Sequence, residues 1–79
     1  MKKATTKDEL FLIKLHQLAL LEGNEAIDRF IIGRAIGQND KGINAIVELC
    51  AKANFIKKGE NNTVYLTAQG LKFVHDYLN

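Results

Sequence analysis

The side chains best suited to catalysis or metal binding are two histidines and one cysteine. His16 and His75 lie far apart in the sequence, and neither has a partner at metal-ligand spacing. We interpret both as ordinary surface or boundary side chains. Cys50 falls on the apolar stripe of a predicted helix, which favours packing in the core over a redox or metal-binding role. Because no phosphate-binding glycine loop, nucleophile elbow or zinc spacing is present, the sequence predicts no enzyme, no metal and no cofactor.

The polar residues around position 60 are suited to contact phosphates. Lys57 and Lys58 precede a turn-rich segment, residues 59–62, that contains Asn61 and Asn62. Lysine and asparagine side chains in such a loop can touch phosphates or enter a minor groove. The alternative is a solvated hairpin whose lysines protect an exposed edge strand.

A second polar group lies on the outer face of a predicted helix over residues 40–53. Lys41, Asn44 and Ala45 are expected to point away from the core. An asparagine there can pair with adenine, and a lysine can meet guanine or a phosphate. Asp40 and Glu48 share this face and would oppose a nucleic acid, and the face carries no arginine.

Further cations precede this helix. Arg34 lies on the preceding predicted helix and could add a phosphate contact. The N-terminal lysines could do the same or belong to a flexible basic arm, which we expect over residues 1–6; they are Lys2, Lys3 and Lys7.

Helices at the start of the chain are predicted from capping and periodicity. Thr6 and Glu9 form a capping box, and the first helix runs to about Glu22 and stops at Gly23. The second helix spans residues 26–36 and ends at a glycine. Its apolar residues at helical spacing are Ile27, Phe30, Ile31 and Ala35.

The rest of the chain predicts a helix, a hairpin and a last helix. Asn39 is the N-cap of the third helix, which ends near Asn54. Its core-facing residues are Ile43, Ile46, Val47 and Cys50. Residues 55–58 and 63–66 form a β-hairpin, and Thr67 caps the last helix. The apolar set of that helix is Leu71, Phe73, Val74 and Leu78.

The first helix is apolar around much of its circumference. One stripe contains Leu10, Ile13, Leu18 and Leu21, and it is broadened by Leu12, Leu15 and Leu20. Two interpretations stay open. The helix is either central and packed on two sides, or it contributes to a dimer contact together with Phe73, Tyr77 and Leu78 of the last helix.

From about Asp28 onward the chain resembles winged helix-turn-helix domains, in particular MarR-like and PadR-like bacterial transcriptional regulators. Residues 32–37, Ile-Gly-Arg-Ala-Ile-Gly, resemble the Leu-Ala-x-x-Leu-Gly signature of the second helix in that family. Ile43 and Cys50 then follow at the family's spacing for buried residues of the recognition helix. Residues 54–56, Asn-Phe-Ile, and 65–70, Tyr-Leu-Thr-Ala-Gln-Gly, are similar to its Gly-Leu-Ile and Leu-Thr-x-x-Gly motifs.

This resemblance, which covers about 50 residues, implies a three-helix core, a wing and a C-terminal helix. It implies binding of double-stranded DNA by a small regulator, which we expect to act as a homodimer. Three positions depart from the family pattern: Gln38, Gly42 and Ala45. The alternative is a winged-helix module that self-associates or docks on a larger protein without binding DNA.

Composition sets the outer bounds of these expectations. The chain has 79 residues, which predicts a single domain, and 47 % apolar residues, which is enough for a core. Its net charge of +2 permits an anionic partner without requiring one. A single cysteine excludes an intrachain disulfide, and no apolar run approaches a membrane span, so we expect a cytoplasmic protein.

Overall fold

Four helices and three short strands form residues 6–78, the part of the chain that the computed structural model describes, in the order α-β-α-α-β-β-α. The helices are α1 (Lys7–Glu22), α2 (Arg29–Ala35), α3 (Asp40–Lys52) and α4 (Ala68–Leu78). The strands are β1 (Ile27–Asp28), β2 (Ile56–Lys58) and β3 (Thr63–Leu66). The expected mainly helical fold with a small hairpin is confirmed at this level. Apart from Thr6, the expected basic arm lies outside the described residues.

The ends of α1 follow the local signals in the sequence. The Thr6 hydroxyl accepts from the Glu9 backbone N–H at 3.1 Å, and the Glu9 carboxylate accepts from the Thr6 backbone N–H at 3.1 Å. Gly23 ends the helix in the left-handed conformation at φ 66°, where a residue without Cβ is unstrained. None of the described helices combines the length and apolarity that a membrane crossing requires.

The predicted start of α2 is wrong by about one turn. Residues Ile27 and Asp28 form β1 instead, pairing antiparallel with Val64 and Thr63 of β3. The Asp28 carboxylate then accepts from the Phe30 backbone N–H at 2.8 Å and caps α2. A two-residue strand has no periodicity of its own, so only its distant partner distinguishes it from a first helical turn.

Both ends of α3 agree with the prediction. The Asn39 side chain accepts from the Gly42 backbone N–H at 2.8 Å. Beyond the helix, Asn54 takes a left-handed φ of 66°. The four residues predicted to face the core are all buried: Ile43, Ile46, Val47 and Cys50.

The three strands form one antiparallel sheet in the order β1-β3-β2. In the hairpin, Ile56 pairs with Leu66 and Lys58 with Val64. Thr67 follows β3 and accepts from the Gly70 backbone N–H at 3.0 Å, as predicted for the cap of α4. The same hydroxyl donates to the Asn54 carbonyl at 2.6 Å, so the end of α3 and the start of α4 are tied together.

The core lies where α1, α2 and α3 meet the sheet and α4. Each fully buried large apolar side chain contributes roughly 1.5–3 kcal/mol. The buried hydrophobic residues of the core are Phe11, Leu12, Leu15, Ile27, Ile32, Ile43, Ile46, Val47, Cys50, Ile56, Val64 and Val74.

The apolar stripe predicted for α1 is rotated in the structure. Phe11, which the prediction left out, is fully buried beside Leu12 and Leu15. Leu21 is 80 % exposed and Leu20 is 71 % exposed, because the core contacts the helix along a neighbouring line of residues. With apolar residues on several sides of a helix, periodicity leaves the buried side undetermined.

Two apolar assignments in α2 are also corrected, since Ile31 and Ala35 are both exposed. Helical spacing groups Ile31 with the apolar residues of this helix, yet it is 59 % exposed, whereas Ile32 is fully buried. The shift follows from β1: once Ile27 belongs to a strand, it no longer shares a helical stripe with Ile31.

Candidate nucleic-acid interface

The outer face of α3 is set by its buried face. Because Ile43, Ile46 and Val47 point into the core, the positions between them point to solvent. Lys41, Asn44, Ala45 and Glu48 are all exposed, as the sequence predicted. The helix therefore presents one lysine, one amide and one carboxylate along a single stripe.

Arg29 connects this stripe to the tip of the hairpin. Its guanidinium donates from Nη1 to the Asn44 Oδ1 at 3.2 Å and from Nε to the Asn62 carbonyl at 3.3 Å. Its backbone N–H donates to the same carbonyl at 2.9 Å. One side chain from α2 thus holds α3 and the segment between β2 and β3 in one surface.

Sequence reasoning missed Arg29. Its two partners are 15 and 33 residues away in the chain, so neither contact leaves a local pattern. It supplies the arginine that the outer face of α3 lacks in its own sequence. The local sequence shows only an arginine directly after an aspartate that caps a helix, and this pattern is too common to indicate a site.

Arg34, the other arginine of α2, contacts the first turn of α3. Its Nη2 donates to the Asp40 Oδ1 at 3.0 Å, with both side chains about two-thirds exposed. Its guanidinium also lies 5.6 Å from the centre of the Phe30 ring. An exposed pair of this kind contributes little to stability, about 0–1 kcal/mol, but it compensates the Asp40 charge on this surface.

Lys58 of β2 is paired with the second acid of α3. Its Nζ donates to the Glu48 Oε2 at 2.5 Å. The hydrogen bond and the charge of Lys58 hold the pKa of Glu48 below its ordinary value, so this carboxylate stays ionised. The lysine of the hairpin and the acid of the helix therefore neutralise each other.

Lys57 is not brought to α3. Side chains alternate across a strand, and Ile56 and Lys58 lie on the side that faces the core and α3. Lys57 is exposed on the opposite face, across from Tyr65 in the register. Lys57 and Lys58, which are adjacent in the sequence, thus lie on different faces of the hairpin.

The hairpin tip is ordered by backbone contacts. The Gly59 N–H donates to the Thr63 carbonyl at 2.9 Å, and the Thr63 N–H donates to the Glu60 carbonyl at 3.0 Å. Asn61 takes a left-handed φ of 56°, which asparagine tolerates. The Asn61 and Asn62 side chains are exposed, with Asn62 adjoining Arg29 through its carbonyl.

We call the group formed by α2, α3 and the hairpin the α3 surface; its members are exposed except for the half-buried Arg29, and they are Arg29, Arg34, Lys41, Asn44, Glu48, Lys58, Asn61 and Asn62. Two of its cations are paired with Asp40 and Glu48. Within residues 6–78, Arg29 and Lys41 make no ion pair. Arg29 contacts Asn44, and Lys41 lies one helical turn before it; the Asn44 Oδ1 accepts from Arg29, and its amide can also donate.

The chemically reactive side chains lie elsewhere. Cys50 is buried at 2 % exposure, as predicted, and burial raises the pKa of its thiol to about 12. His16 and His75 are brought together from opposite ends of the chain, with ring centres 5.7 Å apart. Residues 6–78 hold no group of three or more His, Cys, Asp or Glu side chains arranged for a metal ion.

The comparisons with known proteins indicate no function, so a functional assignment depends on the residues of this chain. No protein-family model matches the chain, and neither a curated protein nor a solved structure shows significant similarity to it.

Proposed function

We propose that the chain is a winged helix-turn-helix domain that binds double-stranded DNA. In this proposal α2 and α3 form the helix-turn-helix, and β2 and β3 with their connecting segment form the wing. The observation that carries it is the bridge made by Arg29 between Asn44 of α3 and Asn62 at the hairpin tip. A helix and a wing presented together, with cations around an exposed amide, match the needs of a duplex groove and its flanking phosphates.

The proposal assigns DNA contacts to most side chains of the α3 surface and to Ala45 beside it. Asn44 reads adenine, and Ala45 lies beside it where a small apolar side chain can meet a thymine methyl group. Lys41 and Arg29 contact phosphates or guanine, and Arg34 contacts phosphate next to its partner Asp40. Asn61 and Asn62 at the tip of the wing meet the backbone or the minor groove. Lys58 stays paired with Glu48, and Lys57 lies on the other face of the hairpin.

The biological role we propose is a small cytoplasmic transcriptional regulator that acts as a homodimer. One subunit offers few unpaired cations, so a useful specific affinity calls for two half-sites. The exposed leucines of α1, Leu20 and Leu21, with Leu78 of α4, provide apolar surface for the subunit contact.

Fluorescence anisotropy with labelled genomic duplexes tests DNA binding. We expect binding at 50 mM salt that weakens at 200 mM, because cation–phosphate contacts release counterions. Substituting Lys41→Ala should weaken binding to all duplexes, whereas Asn44→Ala should mainly reduce the preference among them.

Lys72→Ala is the matched control, since Lys72 is an exposed lysine of α4 outside the α3 surface. Equal losses for Lys41→Ala and Lys72→Ala would contradict the assigned surface. Absence of binding at 50 mM salt would contradict the function.

A second candidate function is protein interaction through a winged helix without DNA. It is favoured by the exposed apolar side chains of Leu21 (80 %), Ile31 (59 %) and Leu49 (56 %). In this case self-association or docking on a larger protein uses these residues, and the α3 surface stays in solvent.

Sedimentation velocity on the full chain, with and without duplex DNA, separates the two candidates. Dimers that form without DNA and do not bind it support the interaction module. A strictly monomeric chain that binds no apolar dye contradicts that module and the homodimer.

A further inference from the structure

We propose that His16 and His75 form a two-imidazole binding site for a divalent transition-metal ion, with Zn²⁺ the best match, at the open edge between α1 and α4. This inference is independent of DNA binding. It rests on ring geometry, on the antiparallel pairing of the two helices, and on the cavity that the rings border.

The helices bring the two histidines together through a regular pattern. Along α1, His16, Leu20 and Gly23 line one cavity at helical spacing i, i+4, i+7. Along α4, His75, Leu71 and Ala68 line it in the reverse direction at the same spacing. The two helices therefore run antiparallel here, and the two imidazoles meet edge to face, with an interplanar angle of 77°, from packed secondary structure rather than from loops.

The distance between the rings fits a shared ion. An imidazole nitrogen binds Zn²⁺ at about 2.0–2.1 Å, which puts the ring centre roughly 3.2 Å from the ion. Two such rings at a tetrahedral angle have centres roughly 5.2 Å apart. The observed 5.7 Å separation differs from this by about half an ångström. Because the rings meet edge to face, ion binding requires rotation about the soft χ2 torsion to turn a nitrogen of each ring toward the ion.

The surroundings leave the rings accessible and leave room for further ligands. The cavity beside them has a volume of about 430 Å³ and is open to solvent, so an ion can enter and water can complete its coordination. His75 is exposed and His16 is half-buried. Neutral imidazole is a preferred ligand of zinc, copper and nickel, whereas Mg²⁺ and Ca²⁺ prefer oxygen.

The affinity test uses the untagged full chain and Zn²⁺ alone in isothermal titration calorimetry. We expect one ion per chain, and we expect Mg²⁺ to give no binding. Removing an outer-shell partner of a metal ligand lowers metal affinity roughly 10–100-fold, and removing a direct ligand should lower it more. His16→Gln and His75→Gln should therefore each weaken Zn²⁺ binding by about 100-fold or more. Gln17→Ala, an exposed neighbour on α1, is the matched control and should bind as the unsubstituted chain does.

A second measurement does not depend on the variants folding. In NMR spectra of the unsubstituted chain, Zn²⁺ should shift the imidazole signals of both histidines with one common titration curve. Movement of a single histidine, or no movement, overturns the proposal. So does Zn²⁺ binding that survives in the folded double variant, or that is lost in Cys50→Ala, since the ion would then lie elsewhere.

Discussion

Individual charges on the α3 surface are largely compensated by their neighbours. Glu48 would repel DNA as a bare carboxylate, but Lys58 contacts it and lowers its pKa. The same contact occupies the Lys58 ammonium group, which is then not available to bind a phosphate. A single residue therefore limits how strongly this surface can attract a polyanion.

Substituting Glu48→Gln should strengthen DNA binding. The change removes one negative charge and frees Lys58, so one more phosphate contact becomes available and the slope of log K against log salt should steepen by about 0.9. Anisotropy titrations between 50 and 200 mM salt measure this.

Glu22→Gln, at the end of α1, is the control of equal charge change and should leave the slope unaltered. An unchanged slope for Glu48→Gln would show that Lys58 does not meet DNA.

The Cys50 thiol should be unreactive in the folded chain. Burial raises its pKa to about 12, so the thiolate that reacts with alkylating agents is scarce at pH 8. Because the folded-state pKa is raised, the associated stability is complete below the ordinary thiol pKa, about 8.5, and is lost as pH rises toward 12.

Mass spectrometry after iodoacetamide treatment at pH 8 tests this expectation. We expect almost no modification of the native chain. In about 6 M guanidinium we expect rapid modification, because the unfolded chain exposes a thiol of ordinary reactivity. Similar rates in the two conditions would contradict the buried position.

At the scale of elements, the contact between α2 and α3 depends on a glycine. Gly33 is buried, and a Cβ added there would clash with the Ile43 side chain of α3. In contrast, a Cβ at Gly42 would meet chiefly the end of the flexible Gln38 side chain, at 2.8 Å. The two glycines belong to neighbouring helices but differ in what surrounds them.

Alanine substitutions at these two positions should have opposite effects. Gly33→Ala should destabilise the fold by about 1–3 kcal/mol, because α2 must move away from α3. Gly42→Ala should stabilise it by up to about 1 kcal/mol through helix propensity, reduced by the shift of Gln38. Urea unfolding of both variants measures the difference, and a stable Gly33→Ala variant would contradict the close packing.

At the scale of the whole molecule, Arg29 links segments that are distant in sequence. It holds Asn62 of the hairpin tip and Asn44 of α3 with separate guanidinium nitrogens. We expect Arg29→Ala to release the tip and weaken DNA binding, because both a cation and the orientation of the wing are lost. Arg29→Lys keeps the charge but cannot reproduce the forked contact.

Hydrogen exchange separates these two contributions. Protection of the Thr63 N–H, which closes the tip, should fall in both variants. DNA affinity should fall more in Arg29→Ala than in Arg29→Lys. Unchanged protection in Arg29→Ala would mean that the hairpin holds its position without this contact.

The sequence by itself determined the elements whose causes are local. The Thr6 capping box, the Asn39 N-cap and the apolar stripe of α3 each depend on residues within two helical turns of one another. Short-range hydrogen bonds and helical periodicity depend on residues that lie close together in the sequence, so these features could be predicted. The exposed positions of α3 followed from its buried ones.

Only the tertiary structure decided the features that depend on distant partners. β1 exists because Ile27 meets Val64, and the buried side of α1 is set by what packs against Phe11. The candidate site likewise includes Arg29 and excludes Lys57, because the position of the hairpin beside α3 places the first at the site and the second on the opposite face. Contacts across long stretches of chain leave no periodic or short-range signal, because their geometry is fixed only when the core assembles.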